Sequence, residues 1–451
     1  MTIKVIGGQS DVGAKFSGTH TVPGDKSISH RSVILGAIAQ GTTEVSGFLT
    51  GEDCLSTIRC FRALGVDIQL EKTNLIVDGG RLFQPSEALD VGNSGTTLRL
   101  MTGLLAGQAL SSQQSNQIPS QNLQSLTLTG DASIQKRPMN RVIEPLTKMG
   151  ADISGAYAPV TIRGKNLEGI SYTLPVASAQ VKSAILLAGL NAKGSTVIEE
   201  PIPTRDHTEI MLQYFGADIT KKDNFITLNP SATSLQARPI IVPGDISSAA
   251  FLMAAAAILP GANICIEGVG VNPTRTGIIH VLRRMGADIQ LKNERIQCGE
   301  AIADITIRHA PLKGVTISGA EIPTLIDEIP AIAAVALFAE GKTIIKDAAE
   351  LKVKETDRIR VVADEFNKFA FHENKSHNNH AITPHDDGMA ICGGLPLYGA
   401  KVNSHGDHRL AMSLCVAALC IAGETQLEGG GCADISFPGF YKLLPYVQQT
   451  P

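Results

Sequence analysis

Apolar stretches long enough for a helical core element recur along the whole chain, and each opens from a short polar turn. They occupy residues 33–39, 98–106, 181–190, 249–259, 329–339 and 410–422. The turns before them carry Pro23-Gly24-Asp25, Gly92-Asn93-Ser94-Gly95, Val176-Ala177-Ser178-Ala179, Pro243-Gly244-Asp245, Asp327-Glu328 and Gly406-Asp407-His408. Short β-branched runs at 42–45, 195–198, 263–266 and 342–345 follow the helices and predict strands. A second phrase closes a later helix in several places: Leu64-Gly65-Val66-Asp67-Ile68, Met149-Gly150-Ala151-Asp152-Ile153, Phe215-Gly216-Ala217-Asp218-Ile219 and Met285-Gly286-Ala287-Asp288-Ile289. There glycine ends the helix and a strand begins.

These pieces recur at intervals of roughly 70 to 85 residues, so the pattern predicts six β-α-β-α-β-β units with two helices each. Such a unit cannot bury its apolar faces alone, and several must pack around a shared core of helices. At 451 residues the chain exceeds one ordinary core, and three units per domain follow. The expected α/β architecture places residues 23–240 in an N-terminal domain and 1–22 plus 241–451 in a C-terminal one, with the active site in the cleft between them. Residues 108–124 and 372–385 break the pattern and read as surface insertions.

Composition narrows the function. With 4% aromatic residues, no tryptophan and a formal net charge of −4, the chain has neither stacking platforms nor a basic field for nucleic acid. No apolar stretch reaches the roughly 18 residues of a membrane span, and residues 1–13 do not read as a signal peptide. Eight cysteines without a Cys-x-x-Cys pair fit reduced thiols and a cytoplasmic location. No metal-binding or nucleotide-binding motif is present, so neither metal nor cofactor is expected. His372, His377, His380 and His385 read as loop composition.

The candidate chemistry is anion handling. Gly24-Asp25-Lys26-Ser27-Ile28-Ser29-His30-Arg31 leads a turn into a helix and puts Ser27 and Arg31 on one face, where amides, a hydroxyl, an ammonium and a guanidinium suit phosphate or carboxylate. An ordinary N-cap with solvated charges is the alternative. The small residues of Gly92-Asn93-Ser94-Gly95-Thr96-Thr97 let backbone amides approach a ligand. Arg137 is braced by Pro138, and Ser178 and Gln180 occupy the helix start equivalent to that of Lys26, with capping as their alternative. Arg205, in Thr204-Arg205-Asp206-His207, is a further candidate cation, with neutralisation by Asp206 as its alternative. Asp327-Glu328 opens an almost wholly apolar helix, an unusual place for two carboxylates unless one caps and the other, Asp327, serves as a base. If Lys354-Glu355-Thr356-Asp357-Arg358 is helical, Lys354 lies beside Arg358; a solvated surface is the alternative. Arg409, in Asp407-His408-Arg409, stands where Lys26 does in the first unit, a buried ion pair being the alternative.

Taken together, Pro-Gly-Asp-Lys-Ser-Ile-Ser-His-Arg from Pro23, Gly-Asn-Ser-Gly-Thr from Gly92, Lys-Arg-Pro-Met from Lys136, Ser-Ala-Gln-Val-Lys-Ser from Ser178, Lys-Glu-Thr-Asp-Arg from Lys354 and Asp-His-Arg from Asp407 resemble the 5-enolpyruvylshikimate-3-phosphate (EPSP) synthases over nearly the whole chain. The resemblance implies a two-domain inside-out α/β barrel that moves the enolpyruvyl group of phosphoenolpyruvate to the 5-hydroxyl of shikimate 3-phosphate, without cofactor, as a cytoplasmic monomer. It implies that Lys26, Ser27, Arg31, Ser178, Gln180, Arg205, Asp327 and Lys354 bind shikimate 3-phosphate. Lys26, Gly95, Arg137, Gln180, Arg358 and Arg409 would bind phosphoenolpyruvate, and Asp327, Glu355 and Lys26 would be catalytic. Two departures and a rival follow from the same comparison. Gly429-Gly430-Gly431 precedes Cys432 where some members have a lysine, and Gly95 stands where glyphosate-tolerant members often have alanine, so glyphosate inhibition is expected. The related transferase acting on UDP-N-acetylglucosamine relies on a loop cysteine, and residues 108–137 contain none.

Overall fold

Six helices lie on the apolar runs: α1 (Lys26–Ile38), α2 (Gly95–Ala106), α3 (Ala179–Gly189), α4 (Ile246–Ile258), α5 (Ile329–Ala336) and α6 (His408–Cys420). The structure is a computed structural model that describes all residues except 109, 111–124, 231–233, 371–379 and 451. Every residue of α4 is buried, because an apolar helix has no face to offer water; ten consecutive residues of α1 are buried too, Ser29, His30, Arg31 and Ser32 among them. Six four-stranded sheets accompany them. Their strands alternate, as in Gly41–Ser46, where Thr43 and Val45 point inward while Thr42 and Glu44 are exposed. Helices buried on all sides and sheets buried on one put the helices inside and the sheets outside.

Three of the sheets share one topology from end to end. The strand before the unit's long helix runs parallel to the strand after it, and that strand pairs antiparallel with one arm of a hairpin. In the second unit these are Leu89–Asp90, Ser125–Thr129 and the hairpin Asp152–Ser154/Val160–Arg163. Three sheets complete themselves with distant pieces of chain. Gly18–His20 precedes α1 yet pairs parallel with Asn263–Gly270, while Ile240–Ile241 precedes α4 yet pairs parallel with Gly41–Ser46. The last sheet takes Thr2–Gly7 as its inner antiparallel strand, between Gly423–Glu428 and Val447–Thr450.

The chain parts into two units. One comprises Gly24–Val242 with Gln297–Glu300, and the other Met1–Pro23, Pro243–Ile296 and Ala301–Pro451. Each has its own apolar core. The tetrapeptide is the turn of the hairpin Asp288–Gln297/Glu300–Arg308, and the repeat pattern gives no sign that it leaves its own unit. The glycines of the closing phrase, Gly65, Gly150, Gly216 and Gly286, all have positive φ, between 85° and 106°, which explains why no other residue type stands there.

Two sequence expectations fail. The sixth unit has no second helix, since 3-10 turns at Gly430–Ile435 and Phe440–Leu443 take its place; three successive glycines and Pro438 do not support an α-helix. Residues 372–385 are not wholly an insertion, because Ile382–His385 is the edge strand of the fifth sheet. His385 lies on that strand, His380 is exposed, and His372 and His377 lie outside the described residues, as does most of 108–124. Among the described residues no helix is long and apolar enough to cross a membrane.

Candidate active site

In the unit containing Gly24–Val242, the starts of α1, α2 and α3 carry the candidate residues. Asp25, Ser94 and Ser178 cap these helices, accepting from the amides of Ile28 (2.9 Å), Thr97 (3.1 Å) and Val181 (3.4 Å). Capping spends the side-chain oxygens on some amides and leaves the positive helix ends to attract an anion. Cross-links join the ends. Gln180 Nε2 donates to Thr96 Oγ1 at 3.1 Å, and the chain His30 Nδ1, Thr57 Oγ1, Thr97 Oγ1, Ser94 Oγ runs from α1 to the cap of α2 in steps of 2.7 Å. His30 is wholly buried, and burial, with the nearby Lys26 charge, pulls its pKa down to about 3, so the relay contains neutral imidazole at ordinary pH.

The cations of this unit differ in how their charge is met. Lys26 is paired with Asp53. Arg31, 5% exposed, donates to Thr208 Oγ1 (2.7 Å), Ser183 Oγ (2.9 Å) and the Ser27 carbonyl (2.9 Å), all neutral acceptors. Burial lowers its pKa to about 10; Glu209, Asp25 and Glu300 counteract this from farther away, and Arg205 adds to it. Gly95 sits beneath two further guanidinium groups: a Cβ built on it would lie 2.7 Å from Arg99 Nη1 and 3.1 Å from Arg137 Nη1. Arg137 Nη2 donates to Asn93 Oδ1 at 3.0 Å. Two like charges directed at one small patch of backbone make a receptor for a multiply charged anion.

In the other unit the centre is Asp327. Its Oδ1 lies 3.3 Å from Lys354 Nζ and 3.4 Å from Arg358 Nη1, and its carbonyl accepts from Arg409 Nη1 at 3.2 Å. Arg358 is fully buried and also meets Asp407 (2.7 and 3.2 Å) and Glu355 Oε2 (2.6 Å). Burial alone would lower its pKa, but the three carboxylates outweigh it and the shift is upward. Burial raises the Asp407 pKa, and Arg358 more than reverses that, so its carboxyl stays below the usual range. Arg409 meets Glu328 Oε1 only at 3.8 Å, and among the described residues its Nε and Nη2 have no hydrogen-bond acceptor.

A family model described as EPSP synthase (3-phosphoshikimate 1-carboxyvinyltransferase) matches residues 11–444. A 3-phosphoshikimate 1-carboxyvinyltransferase from Brevibacillus brevis is 50% identical, over 96% of this chain and 98% of that one. The chain belongs to the EPSP synthase family. A Synechocystis enzyme of the same name is 48% identical over 97% of this chain and 95% of its own. The solved EPSP synthase of Acinetobacter baumannii superposes with a TM-score of 0.85 at 44% identity, covering all of both chains. The enolpyruvyl transferase NikO from Streptomyces tendae, at 17% identity and a TM-score of 0.77 over 100% of this chain and 98% of that one, shares the fold. Membership brings the two-domain enolpyruvyl transferase fold and the reaction: enolpyruvyl transfer from phosphoenolpyruvate to shikimate 3-phosphate in aromatic amino acid biosynthesis.

Within this EPSP synthase framework, two local expectations are corrected. Residues 354–357 are not helical: a 3-10 turn ends at Val353, Asp357 caps the helix Arg358–Asn367, and Lys354 and Arg358 meet through Asp327 rather than along a helix face. Neither carboxylate of Asp327-Glu328 caps α5 through its side chain; Glu328 instead accepts from Ser247 Oγ. The ion pair considered for Asp407-His408-Arg409 exists, but Asp407 takes Arg358, 49 positions away, not Arg409. Sequence reasoning missed Asp53 and Arg99. The i+4 spacing of Arg99 from Gly95, which lets its Nη1 reach the Gly95 carbonyl at 3.3 Å, was the available signal. Nothing local marks Asp53 as the partner of Lys26.

Proposed function

We propose that the two clusters are the halves of one site. In this reading Lys26, Ser27, Arg31, Ser178, Gln180 and Arg205, with Asp327 and Lys354 of the other unit, bind shikimate 3-phosphate. Lys26, Gly95, Arg137, Gln180, Arg358 and Arg409 bind phosphoenolpyruvate, and Arg99 joins them on the strength of its approach to Gly95. Closure of the cleft around both substrates excludes water and strengthens every charge interaction inside.

Asp327 takes the proton of the 5-hydroxyl as its oxygen bonds to C2 of phosphoenolpyruvate, and Glu355 delivers a proton to the methylene carbon. The tetrahedral intermediate then loses inorganic phosphate, which leaves with the proton that Asp327 took, while Glu355 takes a proton back from the methyl carbon and the double bond re-forms. Arg358 Nη2 donates to Glu355 Oε2 at 2.6 Å, which fixes the position of the carboxyl group assigned to the proton transfer at carbon. The clustered guanidinium groups stabilise the charge that develops on the departing phosphate.

The observation carrying this reading is the convergence of Lys354, Arg358 and Arg409 on Asp327, which fixes a base among anion-binding groups. Phosphate release with shikimate 3-phosphate and phosphoenolpyruvate, measured for the parent and Asp327→Ala, tests it. Turnover is expected to fall about 100-fold or more in a folded variant; full activity removes Asp327 from the mechanism. Glyphosate inhibition belongs to the same reading, since Gly95 puts no methyl in the inhibitor's way, and unchanged turnover at saturating glyphosate would refute it. A monomeric state and a cytoplasmic location belong to it too, and the eight free cysteines favour the location.

A further inference from the structure

Glu328 is wholly buried, yet the proposed chemistry gives it no task. Its Oε1 accepts from Ser247 Oγ at the start of α4 and lies 3.8 Å from Arg409 Nη1 at the start of α6, while its Oε2 has no hydrogen-bond partner. Ser247 Oγ is itself held from behind, accepting from Arg275 Nη2 at 2.7 Å; Arg275 also meets Asp245, the cap of α4, at 3.2 Å. A chain of contacts therefore runs from Arg275 through Ser247 to Glu328, and Glu328 is the neighbour of Asp327 in the short 3-10 turn Ile326–Glu328. A buried carboxylate without a full set of hydrogen bonds is costly, and a chain retains it where it does something.

We infer that Glu328 is a positioning residue that fixes both Asp327 and Arg409. Its anchor on Ser247 sets the turn, which places Asp327 Oδ1 between Lys354 and Arg358 and directs the Asp327 carbonyl to Arg409. Its charge, one step beyond hydrogen-bond distance, holds the guanidinium of Arg409 in place without saturating it, so Nε and Nη2 stay available to an anion. The inference rests on the reading that Asp327 and Arg409 belong to the reacting site, and it adds a residue that touches neither substrate.

Steady-state kinetics of Glu328→Ala, Glu328→Gln and Ser247→Ala, with Asp327→Ala alongside, test it. Glu328→Ala is expected to raise KM for phosphoenolpyruvate about tenfold and lower kcat about tenfold, the size of effect that follows from stranding buried hydrogen-bonding groups. Glu328→Gln keeps an acceptor for Ser247 and should recover most of the kcat while KM stays raised, because the charge facing Arg409 is gone. Ser247→Ala should raise KM about threefold. Loss of folded protein alone would lower kcat and leave the KM of the surviving fraction unchanged. An unchanged KM for phosphoenolpyruvate in Glu328→Ala overturns the inference, and if that variant is insoluble an unchanged KM in both Glu328→Gln and Ser247→Ala does so. An inactive Asp327→Ala beside a normal Glu328→Ala sinks only the role of Glu328, whereas an active Asp327→Ala sinks the reading beneath it.

Discussion

Two buried guanidinium groups, one in each unit, are solvated in opposite ways. Arg31 is surrounded by hydroxyls and a carbonyl, and burial lowers its pKa to about 10. Arg358 is enclosed by Asp407, Glu355 and Asp327, and its pKa moves upward. The first is a cation whose close partners carry no charge; the second is the hub that holds three acids in place. A buried charge without a counter-ion depends on a ligand to supply one, whereas a buried charge with three also holds its part of the fold together before any ligand arrives. Sequence alone makes the two arginines look alike, since each belongs to a polar stretch in the first two turns of a helix.

The sharpest way to break the contrast is Arg358→Met. Removing the hub strands Asp407, Glu355 and Asp327 together, and chemical denaturation should show a loss of about 3–5 kcal/mol. Arg31→Met strands no carboxylate, and Ser183 and Thr208 already bond to each other at 2.7 Å. Its stability should stay within about 1 kcal/mol of the parent while KM for shikimate 3-phosphate rises about 100-fold, a loss near 3 kcal/mol in binding. Equal destabilisation of the two variants would erase the distinction.

The buried imidazole beside Arg31 has a pH signature. With the folded pKa of His30 pulled to about 3 from the ordinary 6.5, the unfolded chain binds the proton first, so stability present at neutral pH is lost as pH falls through 6.5 towards 3. Between pH 7 and pH 5 that amounts to about 2 kcal/mol, read as a shift in urea midpoint that His30→Asn abolishes. The smallest effect is expected from Gly95→Ala. Its methyl would meet only the flexible ends of Arg99 and Arg137, which can move, so KM for phosphoenolpyruvate should rise a few-fold at a cost of about 1 kcal/mol, with the fold unchanged. A loss of folded protein in this variant would mean the guanidinium groups are as fixed as Arg358.

Much of this was legible from sequence because it is local. Apolar runs, turn residues and the glycines at positive φ report on backbone within a few residues, and they revealed the repeats, the six helices and the candidate cations. What stayed hidden depends on distant pairing. Asp407 serves Arg358 rather than its own neighbour Arg409, and Asp53 serves Lys26 across 27 positions, with no periodicity to announce either. Lys354 to Asp357 looked helical from charge spacing, but the cap at Asp357 and the pull of Asp327 on Lys354 and Arg358 favour a break there. The sixth unit departs because its glycines and proline cannot sustain the helix that the repeat would place there.

The exchange of strands bears on how the chain is made. A ribosome releases Gly24–Val242 as one continuous stretch, so most of that unit can assemble while the rest is still being translated. Thr2–Gly7 emerges before that stretch and yet pairs with Gly423–Glu428 and Val447–Thr450, which emerge after it. The earlier segment must therefore wait, with its edges unpaired, for the later ones.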